Sequence, residues 1–135
     1  MKTIVIYWSG TGNTEAMASA VAEGAGAEIF SVSEFKGNID EYDRIALGCP
    51  AMGAEVLEED EFEPFFTDIE SKLSGKTVLL FGSYDWGDDE WMRNWAERAA
   101  SDGAVVLGGE GFIVNNTPDD EALAKCRELG AELSK

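Results

Sequence analysis

The apolar run Ile4-Val5-Ile6-Tyr7-Trp8 is short, β-branched and aromatic, the make-up of a strand buried on both faces, and it stops at Ser9-Gly10-Thr11-Gly12. From Asn13 the period changes. Met17, Ala20, Val21 and Gly24 recur at helical spacing, and Gly24 with Gly26 supplies a stop. The alternation continues with strands expected over residues 27–32, 44–48 and 77–82. Helices are expected over 63–71, 89–101 and 119–134, the last carrying Ala122, Leu123, Cys126, Leu129 and Leu133 inward. A fifth strand reads as split, with Val105-Val106-Leu107 and Phe112-Ile113-Val114 flanking Gly108-Gly109-Glu110-Gly111.

Five βα units in this order predict an α/β fold of three layers, a doubly wound parallel sheet with right-handed crossovers and helices on both faces. Ligands of such sheets bind at the carboxyl ends of the strands, near the switch point of strand order. The loops after strands one, three and four are therefore the informative ones. A length of 135 residues, 44% of them hydrophobic, suits one domain over residues 1–135.

Charge narrows the range of partners. A formal net charge of −17 opposes nucleic acid and anionic membranes and favours partners with basic docking faces. No apolar run reaches the roughly eighteen residues that span a bilayer, and the N-terminus lacks a signal-like apolar stretch, so a cytoplasmic location is expected. The chain has no histidine, which removes Ser-His and Cys-His nucleophile pairs. Cys49 and Cys126 lack metal-ligand spacing and read as reduced, buried thiols; no metal site is expected.

Ser9, Gly10, Thr11, Gly12, Asn13 and Thr14 place three hydroxyls, an amide and backbone N–H groups at the mouth of a helix, which is a phosphate cradle. It holds no lysine or arginine, so the anion would be bound by neutral donors and the helix dipole. The Gly-Lys-Ser/Thr of a nucleotide-triphosphate loop is missing, and the last small residue of a dinucleotide fingerprint falls on Glu15. A Cys-x5-Arg phosphatase loop fails as well, because the sixth residue after Cys49 is Glu55, which repels an anion. A receiver-type signalling domain is excluded by Trp8-Ser9, Gly48-Cys49 and Val114-Asn115 at strand ends that would need acidic residues and a lysine.

Ser-Gly-Thr-Gly-Asn-Thr after a first strand resembles the FMN phosphate loop of flavodoxins, and the likeness, closest to the short clostridial-type members, extends along the whole chain through Glu63-Pro64-Phe65-Phe66 and Trp91-Met92. The resemblance implies strand order 2-1-3-4-5, with the phosphate on residues 9 to 14 and Trp8 bordering the site. It also implies that Ala51, Met52, Gly53, Ala54 and Glu55 cover one flavin face. Met52 offers a polarisable thioether to the ring, Gly53 a peptide that reorients cheaply, and Glu55 an acceptor for the flavin N3–H. Ser83, Tyr84, Asp85, Trp86 and Gly87 would line the other face, Trp86 stacking on it and Ser83 reaching toward the phosphate. Trp91 and Trp95, at i and i+4 on a helix, read as core. Asp85 and Asp89 stand where relatives usually carry glycine, and Ala54 where they carry a polar residue.

By the same resemblance the chain is a low-potential one-electron carrier that cycles FMN between neutral semiquinone and anionic hydroquinone. It would act as a monomer without substrate turnover of its own and serve redox enzymes such as ferredoxin-type oxidoreductases. A flavodoxin-like NAD(P)H or quinone reductase is the alternative; its need for a basic group near the cofactor phosphates finds no support in the acidic rim. Glu55, Glu58, Glu59, Asp60, Glu61 and Glu63 crowd one side of the expected flavin, with Asp85, Asp88, Asp89 and Glu90 opposite. One carboxylate about 6 Å from an anionic flavin costs roughly 3 kcal/mol at an effective dielectric of about 20, or roughly 100 mV for one electron.

Overall fold

A computed structural model describes residues 2–52, 56–85 and 87–135. The predicted alternation is present. Strand β1 (Thr3–Tyr7) leads to helix α1 (Asn13–Ala25), β2 (Glu28–Ser31), β3 (Arg44–Gly48), α2 (Phe62–Ile69), β4 (Thr77–Tyr84), α3 (Glu90–Ser101), β5 (Val105–Val106), β6 (Phe112–Asn115) and α4 (Asp120–Leu133). Short 3-10 turns occupy Ile39–Glu41 and Glu70–Lys72, the second taking over the end of the helix expected to run to residue 71.

Among the described residues every pair of strands is parallel, in the order β2-β1-β3-β4-β5, with β6 continuing the split last strand alongside β4. The register pairs Tyr7 with Gly48 and Gly48 with Phe81, so the chain leaves β1, β3 and β4 at one edge of the sheet. The order of strands reverses at β1, where the first crossover goes to β2 on one side and the next to β3 on the other. A crevice at the carboxyl ends of β1 and β3 is the consequence.

Successive strand residues serve opposite faces of the sheet. Ile4, Ile6, Ile45, Leu47, Val78 and Leu80 pack with Phe62 and Phe66 of α2 and with Trp91 and Trp95 of α3. Val5, Ala46, Leu79 and Phe81 pack instead with Met17 and Val21 of α1 and Cys126 and Leu133 of α4. Trp91 and Trp95 are core, as their spacing predicts. In α4 Cys126 and Leu133 are buried, whereas Ala122, Leu123 and Leu129 are half-buried. Both cysteines are fully buried thiols, and burial pushes Cys126 up to about 11.

Helices α2 and α3 are joined by one arginine. Arg98 donates to both carboxylate oxygens of Glu63 and both of Glu70, each at 2.8 Å, while its guanidinium lies 4.8 Å from the centre of the Phe66 ring. Hydrogen bonding from Arg98 holds both carboxyls below the usual carboxylate range. Glu63 therefore works between helices and is not one more charge aimed at the crevice.

Candidate functional site

The glycines flanking α1 fix where the helix begins and ends. Gly12 is its N-cap at φ 96° and Gly26 its C-cap at φ 62°, both in the left-handed region where a side chain is strained. The positive φ at Gly12 turns the chain sharply from β1 into the helix, so residues 9–11 arch over its N-terminus. Within this arch the Gly12 N–H donates to Ser9 Oγ at 3.1 Å and the Asn13 N–H to Thr11 Oγ1 at 3.4 Å. Acceptance of these bonds leaves the hydroxyl protons of Ser9 and Thr11 available to an anion.

Thr14 lies deepest, 1% exposed, with its Oγ1 3.0 Å from Ser83 Oγ and accepting the Ser83 N–H at 3.3 Å. Ser83, 4% exposed, belongs to β4, so this hydroxyl pair ties the first turn of α1 to the neighbouring strand end. Only one of the two hydroxyl protons can lie between the oxygens, and the other remains to be donated.

The loop after β3 is built onto the same edge. The Cys49 N–H donates to Phe81 O at 3.1 Å and the Ala51 N–H to Ser83 O at 3.0 Å, extending the β3–β4 ladder past the strand. Met52, 37% exposed, then donates its N–H to Val56 O at 2.9 Å in an isolated antiparallel bridge. Gly53, Ala54 and Glu55, expected to meet the flavin, lie outside the described residues, as does Trp86. On the other side Tyr84 ends β4 half-buried, and Asp85 and Gly87 are exposed, Gly87 at φ 86°. Asp89 occupies the N-cap position of α3 without a side-chain cap bond, its carboxylate pairing instead with Arg93 at 3.0 Å.

Three contributors escaped the sequence reading. Asn115 donates its Nδ2 to Tyr84 O at 3.2 Å and to Asp85 O at 3.5 Å, holding the loop after β4; its place at the end of the last strand was the available signal. Glu58 is 5% exposed. Its carboxylate accepts the N–H groups of Asp60, Glu61 and Phe62, each at 2.8 Å, and its own N–H donates to Cys49 Sγ at 3.4 Å. Burial drives the Cys49 thiol far above its ordinary range, so the sulfur is a neutral acceptor. Glu61 accepts the indole N–H of Trp8 at 3.0 Å.

The loops after β1, β3 and β4 therefore meet at the switch point around a cradle of neutral donors. The flavodoxin family profile matches residues 5–130. The chain belongs to the flavodoxin family. It is 50% identical to the flavodoxin of Megasphaera elsdenii and 49% identical to that of Clostridium beijerinckii, over 97% and 96% of this chain and 97% of each relative. The solution structure of two-electron reduced Megasphaera elsdenii flavodoxin superposes with a TM-score of 0.85 at 47% identity, over 98% of both chains.

Flavodoxins are FMN-binding electron carriers, and this chain is one of them. The residues present fit that cofactor: hydroxyl protons of Ser9 and Thr11 at the head of α1, a buried hydroxyl pair behind them, and open space at Gly12, where an added Cβ would meet nothing within 4 Å. FMN supplies the one-electron chemistry when bound. The described residues supply neutral hydroxyl donors at the head of α1, with no lysine or arginine among residues 9 to 14.

Proposed function

We propose that this flavodoxin, one FMN-binding domain, carries electrons singly between redox enzymes with basic docking faces and turns over no substrate of its own. Ser9, Gly10, Thr11, Gly12, Asn13 and Thr14 hold the phosphate. Ala51, Met52, Gly53, Ala54 and Glu55 cover one flavin face; Ser83, Tyr84, Asp85, Trp86 and Gly87 line the other, with Trp8 at the border. The observation that supports this assignment is the cradle itself, where the first turn of α1 is fastened to β4 by Thr14 and Ser83 and the hydroxyls of Ser9 and Thr11 stand at the head of the helix with no lysine or arginine among residues 9 to 14. A fixed cationic side chain there would favour the more negative flavin; neutral donors leave the potential to the rim.

Titration of the FMN-free protein with FMN, riboflavin and FAD should show a clear preference for FMN. Thr11→Ala removes a hydroxyl donor to a charged group, so FMN binding should weaken about ten-fold or more while riboflavin binding changes little. Equal affinities for FMN and riboflavin would remove the phosphate assignment. Appreciable turnover of NADPH with a quinone, without a partner reductase, would favour an enzyme over a carrier.

Trp86 is assigned to the flavin face through the family motif. Flavin fluorescence should be quenched in the loaded protein and partly recovered in Trp86→Ala, with weaker binding. Unchanged fluorescence and affinity would place the stacking elsewhere.

A further inference from the structure

We propose that Glu61 is a positioning residue for the cofactor, bracing the loop after β3 against the phosphate loop through the indole of Trp8. The proposal rests on the assignment of residues 9 to 14 to the FMN phosphate. Trp8 lies between the two loops. At one edge its Nε1–H donates to Glu61 Oε1 at 3.0 Å across 53 residues of sequence, and at the other its benzene ring lies against Gly10, where an added Cβ would sit 3.1 Å from Cη2. The backbone N–H of Trp8 donates to Gly48 O, so the residue stands on a fixed strand end, and the orientation of its half-buried indole rests on partial packing against the core and on the bond at Nε1. Glu61 fixes that orientation, and with it the wall behind Gly10.

The acceptor is itself held from behind. Glu58 is buried and takes the N–H groups of Asp60, Glu61 and Phe62, which immobilises the backbone that carries the Glu61 side chain. The Glu58 N–H is in turn held by the sulfur of Cys49 at the end of β3. A continuous path of hydrogen bonds and packing thus runs from β3 through Glu58, Glu61 and Trp8 to Gly10.

Charge and bracing act on FMN affinity with opposite signs, which makes the role testable. On the phosphate assignment, Glu61 and the anion stand on opposite sides of the Trp8 indole, and the field of the carboxylate alone disfavours the anion. Removing it as Glu61→Leu would tighten FMN if the field were its sole contribution. Bracing predicts the reverse: Glu61→Leu weakens FMN about three- to ten-fold, the range of one net hydrogen bond, with a smaller effect on riboflavin. Glu61→Gln keeps an oxygen acceptor for the indole N–H and should restore FMN affinity to that of the parent protein or tighter. Trp8→Phe deletes the donor, and in that background Glu61→Leu should add no further weakening.

Flavin titrations of these variants and of Glu59→Leu, an exposed charge-and-bulk control, settle the matter at one ionic strength. Glu61→Leu binding FMN as well as or better than the parent would overturn the proposal. So would equal weakening in Glu61→Gln and Glu61→Leu, full additivity with Trp8→Phe, or the same loss in Glu59→Leu. Failure of the phosphate assignment shows separately, as a Thr11→Ala variant that loses no preference for FMN over riboflavin.

Discussion

Gly24→Ala is expected to lower the stability of the FMN-free protein by about 2 kcal/mol, although alanine is the better helix former. Gly24 lies near the end of α1, and a Cβ built on it would stand 1.9 Å from the carbonyl oxygen of Arg127 in α4. The reciprocal contact is just as close: a Cβ on Gly130 would stand 2.1 Å from Val21 O. These neighbours are backbone atoms, so relief requires the helices to separate. Overpacking of this kind costs about 3 kcal/mol at the upper end of its usual range, against about 1 kcal/mol gained in helix propensity. The melting temperature should fall by roughly 8 °C at about 4 °C per kcal/mol. Because α1 carries the proposed phosphate cradle at its other end, its displacement should also weaken FMN more than riboflavin. Urea unfolding and the two flavin titrations check both parts; a variant more stable than the parent would show that the crossing can open without cost.

The parts of this fold that were legible in the sequence are those written in local chemistry. Gly12 and Gly26 mark the ends of α1 because each needs a backbone that other residues resist, and the short apolar runs 4–6, β-branched throughout, and 78–80 read as strands buried on both faces. A glycine also misled. Gly82 reads as the end of the fourth strand, yet β4 continues to Tyr84. Gly82 is there for close approach, since a Cβ would meet Cys49 O at 2.1 Å and the Trp91 ring at 2.5 Å.

The acidic stretch was legible only as charge. Six carboxylates between residues 55 and 63 suggest one electrostatic field, whereas the structure gives several of them separate tasks. Glu58 turns inward onto backbone N–H groups, Glu61 meets an indole, and Glu63 meets Arg98. Partners 53 and 35 residues away are set by the sheet order and leave no trace in local pattern. The Glu58 cap was hidden for another reason. Helix N-termini are usually satisfied by Ser, Thr, Asp or Asn at the cap position, and here a longer side chain does it from three residues before that position, Glu61 itself.

That cap should be among the costliest side chains to lose. Glu58→Ala leaves the N–H groups of Asp60, Glu61 and Phe62 without their acceptor, at the start of a helix whose other interactions cannot supply one. Buried donors left unpaired cost about 1–3 kcal/mol each, and water reaching the exposed Asp60 and Glu61 turn offsets part of the sum, so a loss of about 3 kcal/mol is expected. Glu58→Gln should fall between Glu58→Ala and the parent. One oxygen can still accept from Glu61 and Phe62, which share Oε1, but the amide nitrogen would face the Asp60 N–H, donor against donor. Both variants remove the same charge. A difference between them in stability or in flavin potential therefore measures the geometry of the loop and not its field. Urea unfolding of the FMN-free proteins keeps cofactor binding out of the comparison, and spectroelectrochemistry of the loaded proteins supplies the potentials. If Gln and Ala at position 58 behaved alike in both measurements, charge alone would account for Glu58, and the loop after β3 would owe its shape to the Cys49 and Val56 contacts at its base.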